Sequence, residues 1–227
     1  LYIHLRKAKF MNTMKRYLLG IIGLLSLITL QAQDYSFKYY FTIINGHDGL
    51  SQTDIKAILQ DSEGFMWFGT RNKLNRFDGN SIQVFDCYDS IANKRNNNIS
   101  SLYWVSDIRE DADGNIWIVL PNQGLFRYDS DGLVHYPFGD PKLPDQGNPQ
   151  CLCVDRSGRL WVGTNGKGVY LYNRENDKFT QYLGDNSGET LFGENIYKMC
   201  DYGDELVIGI HEGKLRKLNK RKNTLTD

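Results

Sequence analysis

The sequence DRSGRLWVGT at residues 155–164 decides the fold, because the same pattern occurs three more times in the chain. The other copies read DSEGFMWFGT at 61–70, DADGNIWIVL at 111–120 and, in diverged form, DYGDELVIGI at 201–210. Successive copies begin 50, 44 and 46 residues apart, and the fourth has Val207 where the others have tryptophan. A fixed period of this length is typical of a repeat architecture with one supersecondary unit per copy.

A second pattern follows each copy at a nearly constant distance and completes the repeating unit. It reads LNRFD at 74–78, LFRYD at 125–129, VYLYN at 169–173 and LRKLN at 215–219. Each unit has short apolar or alternating segments separated by turn residues, and none has a run with helical periodicity. The repeat therefore predicts an all-β fold, a partial, incomplete β-propeller of about four blades with four antiparallel strands each. The predicted blades are 53–98, 99–147, 148–193 and 194–227.

The repeated positions are predicted to build the fold and not to perform chemistry. An Asp-x-x-Gly sequence forms a tight turn, because the carboxylate accepts bonds from backbone N–H groups two residues on and glycine adopts positive φ. A tryptophan at one fixed place in each unit indicates packing between blades. The structural signature comprises Asp61, Gly64, Trp67, Gly69, Asp111, Gly114, Trp117, Asp155, Gly158, Trp161 and Gly163. The sequence predicts no catalytic residue, no metal ligand and no cofactor, and it leaves the ligand-binding residues unidentified.

The composition agrees with a globular β protein. Of the 227 residues, 41% are hydrophobic and 13% aromatic, which is enough to bury a core, and 22 glycines suit many tight turns. The 27 Lys and Arg residues balance 27 Asp and Glu residues. Because nucleic-acid binders normally have a basic excess, this balance excludes nucleic acid as the expected partner.

The N-terminal segment has the features of an export signal. Lys15 and Arg16 precede an uncharged, mostly apolar run at 17–30. This run is shorter than the roughly 20 apolar residues of a membrane-spanning helix. Residues 14–32 are therefore predicted to be a signal peptide, cleaved after Ala32, with an uncleaved anchor as the alternative.

The remaining chain, 33–227, is predicted to be the incomplete propeller. Residues 1–13 precede the first plausible start at Met14 and are interpreted as upstream sequence read through to that start. Five of the 27 basic residues and none of the acidic ones lie before residue 33, so the segment 33–227 contains 22 basic and 27 acidic residues. The exported segment is therefore acidic, with a net charge of −5.

The predicted propeller contains four cysteines, namely Cys87, Cys151, Cys153 and Cys200. An oxidising compartment permits disulfides, and four cysteines allow three complete pairings among which the sequence does not choose. Cys151 and Cys153 are two residues apart, so on a strand they point to the same face. Cys-x-Cys with the distant His47, His135 and His211 lacks zinc-finger spacing. The four cysteines are therefore expected to be buried free thiols in strands.

The repeat resembles the two-component regulator propeller repeat. The shared pattern is Asp-x-x-Gly-x-apolar-Trp-apolar-Gly-Thr, followed by Gly-Leu-x-Arg-apolar-Asp. The leading segment DGLSQTDI at 48–55, running into 60–72, looks like the first blade of sensors that carry this repeat. The resemblance covers about 37–227. Lys73 replaces a usual glycine, Val119-Leu120 replaces Gly-Thr, and the fourth copy lacks the tryptophan, so individual turns are expected to be degraded.

The resemblance implies an N-terminal fragment of a Bacteroidetes-type hybrid two-component system sensor. Such sensors join periplasmic propellers to a β-sandwich, a transmembrane helix and a cytoplasmic histidine kinase, and they sense oligosaccharides to switch on glycan-utilisation genes. By this resemblance the segment is periplasmic and non-enzymatic. Its implied partners are an oligosaccharide ligand, the rest of the sensor chain and a homodimer partner, with the membrane reached only through a missing C-terminal part.

The same resemblance implies that the propeller is truncated. Propellers of these sensors close with more than four blades, whereas the repeat stops inside its fourth copy at Asp227. The segment 35–44 is then expected to supply a closing strand for a last blade that is absent.

Two other functions stay open at this stage. One is an exported propeller scaffold without kinase linkage, and the other is a fragment of a carbohydrate-active enzyme. An enzyme would need acids that break the repeat and converge on one face. The candidates Glu175, Asp185 and Glu189 are assigned to one loop region without an evident acid pair. Ligand contacts are predicted in the long insertions Asn93–Ser100 and Pro137–Gln150.

Overall fold

The computed structural model describes residues 17–18, 41–71, 73–87, 104–138, 147–182 and 190–226. The chain divides into two compact units, Leu1–Ile43 and Ile44–Asp227. Apart from Tyr17 and Leu18, the predicted signal peptide lies outside the described residues, and so does the predicted read-through segment. Among the described residues, no helix combines the length and the apolar character that crossing a membrane requires.

The described residues of the second unit form sixteen β-strands and two short 3-10 helices, Gly46–Asp48 and His211–Gly213. The first blade contains β1 (Ala57–Gln60), β2 (Met66–Gly69), β3 (Lys73–Phe77) and β4 (Ile82–Asp86). The second contains β5 (Asp107–Glu110), β6 (Ile116–Leu120), β7 (Gly124–Asp129) and β8 (Gly132–Tyr136). The third contains β9 (Asn148–Val154), β10 (Leu160–Lys167), β11 (Val169–Asn173) and β12 (Lys178–Tyr182). The fourth contains β13 (Phe192–Tyr202), β14 (Glu205–Ile210), β15 (Leu215–Asn219) and β16 (Leu225–Thr226).

Within each blade, strands that are consecutive in the sequence pair side by side and antiparallel. The third and fourth blades are also joined to each other, because the extended end of β10 pairs with β13 at Asn165 and Asn195. The predicted all-β partial propeller with four-stranded antiparallel blades is therefore confirmed. The described part of the expected closing strand is not a strand, since 41–45 has no regular structure, and 35–40 lies outside the described residues.

Adjacent blades pack face to face in one repeating arrangement. Residues paired across an antiparallel blade point to the same face, because side chains alternate along each strand. In the first blade Trp67 lies on the face that packs against Ile108 and Ile118 of the second blade. Trp117 packs against the third blade, and Trp161 packs against the fourth, in two further apolar clusters. The repeat thus places one tryptophan at each of these three blade interfaces.

The fourth blade has a shorter turn than the other three. Tyr202 pairs with Glu205, which leaves Gly203 and Asp204 as a two-residue hairpin loop. Gly203 has a φ of 65°, a backbone conformation that such tight hairpins need. The strands extend past Asp201 here, and Val207 offers no indole N–H for that carboxylate to bind.

The burial of the cysteines differs from the expectation at one position. Cys151 and Cys153 are buried free thiols in β9, as expected, and Cys87 is buried but lies just after β4, whereas Cys200 is an exposed free thiol. A register shift in β13 between Ile196 and Lys198 changes which residues face the third blade. Cys200 pairs with Val207 on the opposite face, so the prediction that all four are buried is wrong.

We expect a maleimide to label one cysteine in the native, reduced protein and all four after unfolding. Burial raises the pKa of Cys87 and of Cys151 to about 12 and that of Cys153 to about 11. These thiols are therefore both shielded and protonated at neutral pH, and the thiolate is the reactive form. Mass spectrometry gives the stoichiometry, and Cys200→Ser should abolish native labelling. Rapid labelling of a second cysteine would contradict the buried assignments.

Candidate functional site

The Asp-x-x-Gly turns of the first three blades use one set of hydrogen bonds. Asp111 Oδ1 accepts bonds from the backbone N–H groups of Asp113 at 2.9 Å and Asn115 at 3.0 Å. Asp111 Oδ2 accepts a bond from Trp117 Nε1 at 2.8 Å. The equivalent indole bonds join Asp61 to Trp67 at 2.6 Å and Asp155 to Trp161 at 2.9 Å, and the turn glycines Gly64, Gly114 and Gly158 all have positive φ. The carboxylate of each turn therefore orients the tryptophan of its own blade.

The electrostatics of the third turn follow from these bonds. Burial alone would raise the pKa of Asp155, but the hydrogen bonds from Trp161 and Arg159 and the Arg159 charge outweigh it and hold the pKa below its ordinary value. Lys220 from the fourth blade also approaches Asp155, with Nζ 3.6 Å from Oδ2. A carboxylate that is ionised and fully engaged in this way acts as a structural group.

The glycine of the Gly-Thr pattern lies where the next blade comes closest. A Cβ on Gly69 would lie 2.5 Å from Val105 Cγ1, and a Cβ on Gly163 would lie 2.7 Å from Ile196 Cγ2. The following threonine closes the turn, because Thr70 Oγ1 donates a bond to the Lys73 carbonyl at 3.1 Å. Lys73 replaces the usual glycine, yet the Thr70 N–H still bonds its carbonyl at 3.0 Å. That departure from the repeat leaves the turn hydrogen-bonded.

Of the acids that break the repeat, Glu175 lies among the described residues. Glu175 lies exposed in the turn before β12, where its N–H donates a bond to Asn173 Oδ1 at 2.9 Å. Asp185 and Glu189 follow β12 and lie outside the described residues. The assignment of the three acids to one loop region is therefore wrong for Glu175, which β12 separates from the other two. In the part of the chain that the structure describes, no group of three His, Cys, Asp or Glu side chains could hold a metal ion.

The strand order collects the connections between blades at one end of the blades. In an antiparallel blade the second-to-third turn lies at the same end as the connections to the neighbouring blades. We name this end the connection face; its described residues include 50–56, 70–71, 104–106 and 121–123. Of the predicted ligand loops, Asn93–Ser100 lies outside the described residues, and Pro137–Gln150 is described only at 137–138 and 147–150.

A groove of about 420 Å³ opens on the connection face beside the first blade. Its lining residues are Gly46, Leu50, Ser51, Gln52, Thr53, Asp54 and Arg71. This volume lies toward the lower end of the range of small-molecule sites in proteins. The groove is therefore a candidate site on the described part of the chain.

Polar contacts hold the floor of the groove against the first blade. The Ser51 N–H donates a bond to Asn75 Oδ1 at 2.9 Å, and the Ser51 hydroxyl lies 3.0 Å from the Thr70 hydroxyl. Asn75 in turn donates a bond to the Phe68 carbonyl at 3.2 Å. Asn75 and Thr70 are fully buried, and Leu50 is 5% exposed. These contacts hold Leu50 and Ser51 against the first blade.

Two charged residues line the groove, and Trp104 lies opposite one of them in the backbone pairing. The Arg71 backbone forms an antiparallel bridge with Trp104, and Asp54 forms a 2.9 Å ion pair with Lys56. Trp104 is 43% exposed, whereas the three tryptophans of the repeat are at most 1% exposed. Neither Trp104 nor Arg71 is predicted from the sequence to be functional. One signal was present, since Trp104 is the one tryptophan of four that lies outside the repeat.

A second polar cluster links the second blade to the third. Asp177 Oδ1 accepts bonds from the Tyr172 hydroxyl at 2.6 Å, the Tyr136 hydroxyl at 2.7 Å and Arg127 Nη1 at 3.1 Å. Partial burial alone would raise the pKa of Asp177. The hydrogen bonds from both tyrosines and the Arg127 charge together outweigh burial and lower the pKa. The donors and the acceptor satisfy one another, so this cluster joins the blades.

We expect Asp177→Asn to destabilise the protein at pH 7 by about 0.5–1 kcal/mol, a value suited to a half-exposed charged group. The folded-state pKa of Asp177 is lowered, so its stabilisation is present above the unfolded value of about 3.9 and is lost as the pH falls through the folded value. Urea unfolding should therefore give a smaller difference between wild type and variant below pH 3 than at pH 7. The exposed Asp131→Asn is the control and should show little difference at either pH. A difference in the free energy of unfolding between wild type and Asp177→Asn that increases as the pH falls would contradict the stabilising role of the ionised Asp177.

Comparison with known proteins gives matches in sequence and in fold. Residues 49–72 and 142–166 match the family model of the two-component regulator propeller. Over 59 residues, 26% of this chain, the sequence is 44% identical to histidine kinase P4 of Formosa agariphila. That match covers 4% of the kinase, so this chain corresponds to a small part of it.

Two solved structures share the fold. The extracellular domain of a hybrid two-component system from Bacteroides thetaiotaomicron matches with a TM-score of 0.63 at 22% identity, over 83% of this chain and 26% of that one. The extracellular domain of a one-component system from the same organism matches with a TM-score of 0.58 at 19% identity, over 85% and 27% of the two chains. This chain thus spans about a quarter of either structure. The chain carries two-component regulator propeller repeats and resembles the extracellular domains of hybrid two-component systems.

Proposed function

We propose that this chain is the N-terminal part of the periplasmic sensory region of a hybrid two-component system. The observation that carries the proposal is the 44% identity to a histidine kinase over 59 residues, in a chain with two matched propeller repeats. The likeness of the fold to extracellular domains supports an exported location, as does the predicted signal peptide at 14–32. Kinase activity, homodimerisation and membrane attachment belong in this proposal to the rest of the sensor.

The proposed signal is an oligosaccharide, whose binding the sensor converts into transcription of glycan-utilisation genes. A propeller suits this role because its hydrogen-bonded blades form a scaffold and its connection face collects the segments between blades at one end. The groove beside the first blade supplies the kind of site needed, with hydroxyl, amide and charged side chains around a fixed floor.

We propose a binding role and not a catalytic one. The carboxylates of the repeat, Asp61, Asp111 and Asp155, are each engaged by backbone N–H groups and by an indole. Glycoside hydrolysis needs two carboxylates that face a substrate from either side of one bond. Carboxylates committed to turns in this way are unsuited to that chemistry, which favours sensing over hydrolysis.

Deletion of the gene in its source organism tests the proposal. Wild type and deletion strain are grown on a panel of complex glycans, and transcripts of the glycan-utilisation operons are measured. We expect one operon to lose induction in the deletion strain and to regain it when the intact gene is restored. Unchanged induction of every operon would contradict the proposal. Sequence downstream of codon 227 without further blades, a membrane span or a kinase would favour the exported scaffold instead.

A further inference from the structure

We propose that the groove beside the first blade binds a uronic acid unit, the carboxylate-bearing sugar of an acidic oligosaccharide. The inference rests on the proposed function, since it assumes that the chain binds an oligosaccharide, and it adds the site and the chemical class. Arg71 pairs with the sugar carboxylate, and Trp104 packs on the sugar ring.

The charges around the groove favour an anionic ligand. Two charged residues line it, Asp54 and Arg71. Asp54 is compensated by Lys56, whose Nζ lies 2.9 Å from its carboxylate. Arg71 is exposed and forms no ion pair with any residue that the structure describes. The planar guanidinium matches a carboxylate with two parallel hydrogen bonds, which gives strength and orientation together.

The position of Trp104 suits a sugar ring held by Arg71. Residues directly opposite in an antiparallel bridge have Cβ atoms about 5 Å apart and side chains on the same face. The bridge between Arg71 and Trp104 therefore starts both side chains from neighbouring positions on one face. A pyranose presents a face of C–H groups that packs on a flat aromatic ring, while the indole N–H can bond a hydroxyl. Its 43% exposure leaves this ring available to a ligand.

The remaining lining residues suit sugar hydroxyls. The side-chain amide of Gln52 both donates and accepts hydrogen bonds, and the Thr53 hydroxyl does the same. The floor at Ser51 is already fixed by Asn75, so little ordering entropy is lost when a ligand binds. The volume of about 420 Å³ suits a short segment of a sugar chain.

Titration calorimetry on the full chain tests the inference with matched probes. The probes are trisaccharides of galacturonic, glucuronic and mannuronic acid, each paired with the neutral trisaccharide of the corresponding hexose. We expect at least one acidic trisaccharide to bind about tenfold or more tightly than its neutral partner at low salt. Acrylamide quenching of fluorescence should fall on binding, because the other three tryptophans are buried and the quencher reaches Trp104.

Substitutions assign the binding to the groove. Arg71→Gln should remove the preference for the acidic trisaccharide, and Arg71→Lys should keep part of it, because a point charge lacks the planar fork. Trp104→Ala should weaken both probes. Arg221→Gln removes another exposed arginine, in the fourth blade, and should leave the affinity unchanged. Circular dichroism spectra that match wild type exclude misfolding as the cause.

The outcomes separate this inference from the proposed function. Tight binding of a neutral trisaccharide that Arg71→Gln does not change would overturn the uronate site and leave oligosaccharide sensing standing. Absence of binding by every probe, with induction lost in the deletion strain, would also overturn the site alone. Absence of binding together with unchanged induction would overturn both.

Discussion

Replacement of Trp117 by alanine should lower the free energy of unfolding by about 3–5 kcal/mol. The indole is fully buried at the interface of the second and third blades, with ring centroids 4.7 Å from Tyr172 and 5.2 Å from Tyr136. Truncation removes these contacts, opens a cavity between the blades and takes from Asp111 its 2.8 Å bond to the indole N–H. The buried carboxylate then loses one of the two donors to Oδ2 and keeps there only the bond from Asn115 Nδ2 at 3.0 Å.

Trp104→Ala is the matched control, because the chemistry of the change is the same and the position differs. Trp104 is 43% exposed and lies outside the repeat, so its loss should cost about 1 kcal/mol or less. Unfolding in urea, followed by far-ultraviolet circular dichroism, measures both variants without relying on tryptophan emission. Equal destabilisation by the two substitutions would contradict the assignment of Trp117 to the interface.

The repeat made the fold predictable because each of its positions has one physical task. The separation of six residues between Asp111 and Trp117 spans a tight turn and the start of a strand, which lets the carboxylate reach the indole. Alternation along β6 then fixes which blade the tryptophan meets. The Asp-x-x-Gly turn, the alternation of side chains along a strand and the separation between Asp and Trp each involve only residues that are close in the sequence. Such local features can be predicted from the sequence alone. Because the repeat occurs four times, the role predicted for a position in one copy can be compared with the same position in the other three.

Features that depend on contacts between distant segments were not predictable. Cys200 lies on the face of the fourth blade that points away from the third because β13 shifts register after Ile196, and a bulge of this kind is decided by packing against neighbouring strands. Asp177 gathers donors from two blades, and its bonding to Arg127 spans 50 residues. Neither residue occupies a position whose role the repeat specifies.

The candidate site also depends on a contact between distant segments, which the sequence does not show. Arg71 and Trp104 lie in different blades and meet through a single bridge, which no periodicity indicates. The repeat explains three of the four tryptophans as interface residues, and Trp104 is the exception. The sequence therefore distinguishes Trp104 from the other tryptophans but does not show which residues lie next to it. A search for residues that depart from a well-explained repeat would have found it.

Gly163→Val should destabilise the protein by about 3 kcal/mol through steric overlap between two blades. A Cβ at this position would lie 2.7 Å from both Cys151 Sγ and Ile196 Cγ2 and 3.3 Å from Met199 Cε. Cys151 belongs to β9 and Ile196 to β13, so a valine would require side chains of both blades to move. Interiors packed at this density resist such shifts.

Gly209→Val is the internal control, because Gly209 occupies the same repeat position in the fourth blade. A Cβ there would have the Lys198 carbonyl oxygen as its nearest neighbour, at 3.6 Å, which is an ordinary contact. Neither glycine has positive φ, so backbone strain contributes to neither variant and steric crowding alone separates them. Urea midpoints should place Gly209→Val within about 1 kcal/mol of wild type, since β-branched residues are well suited to strands. Similar midpoints for the two variants would mean that the third and fourth blades are not in close contact at Gly163, which would overturn the role given to glycine in the Gly-Thr pattern.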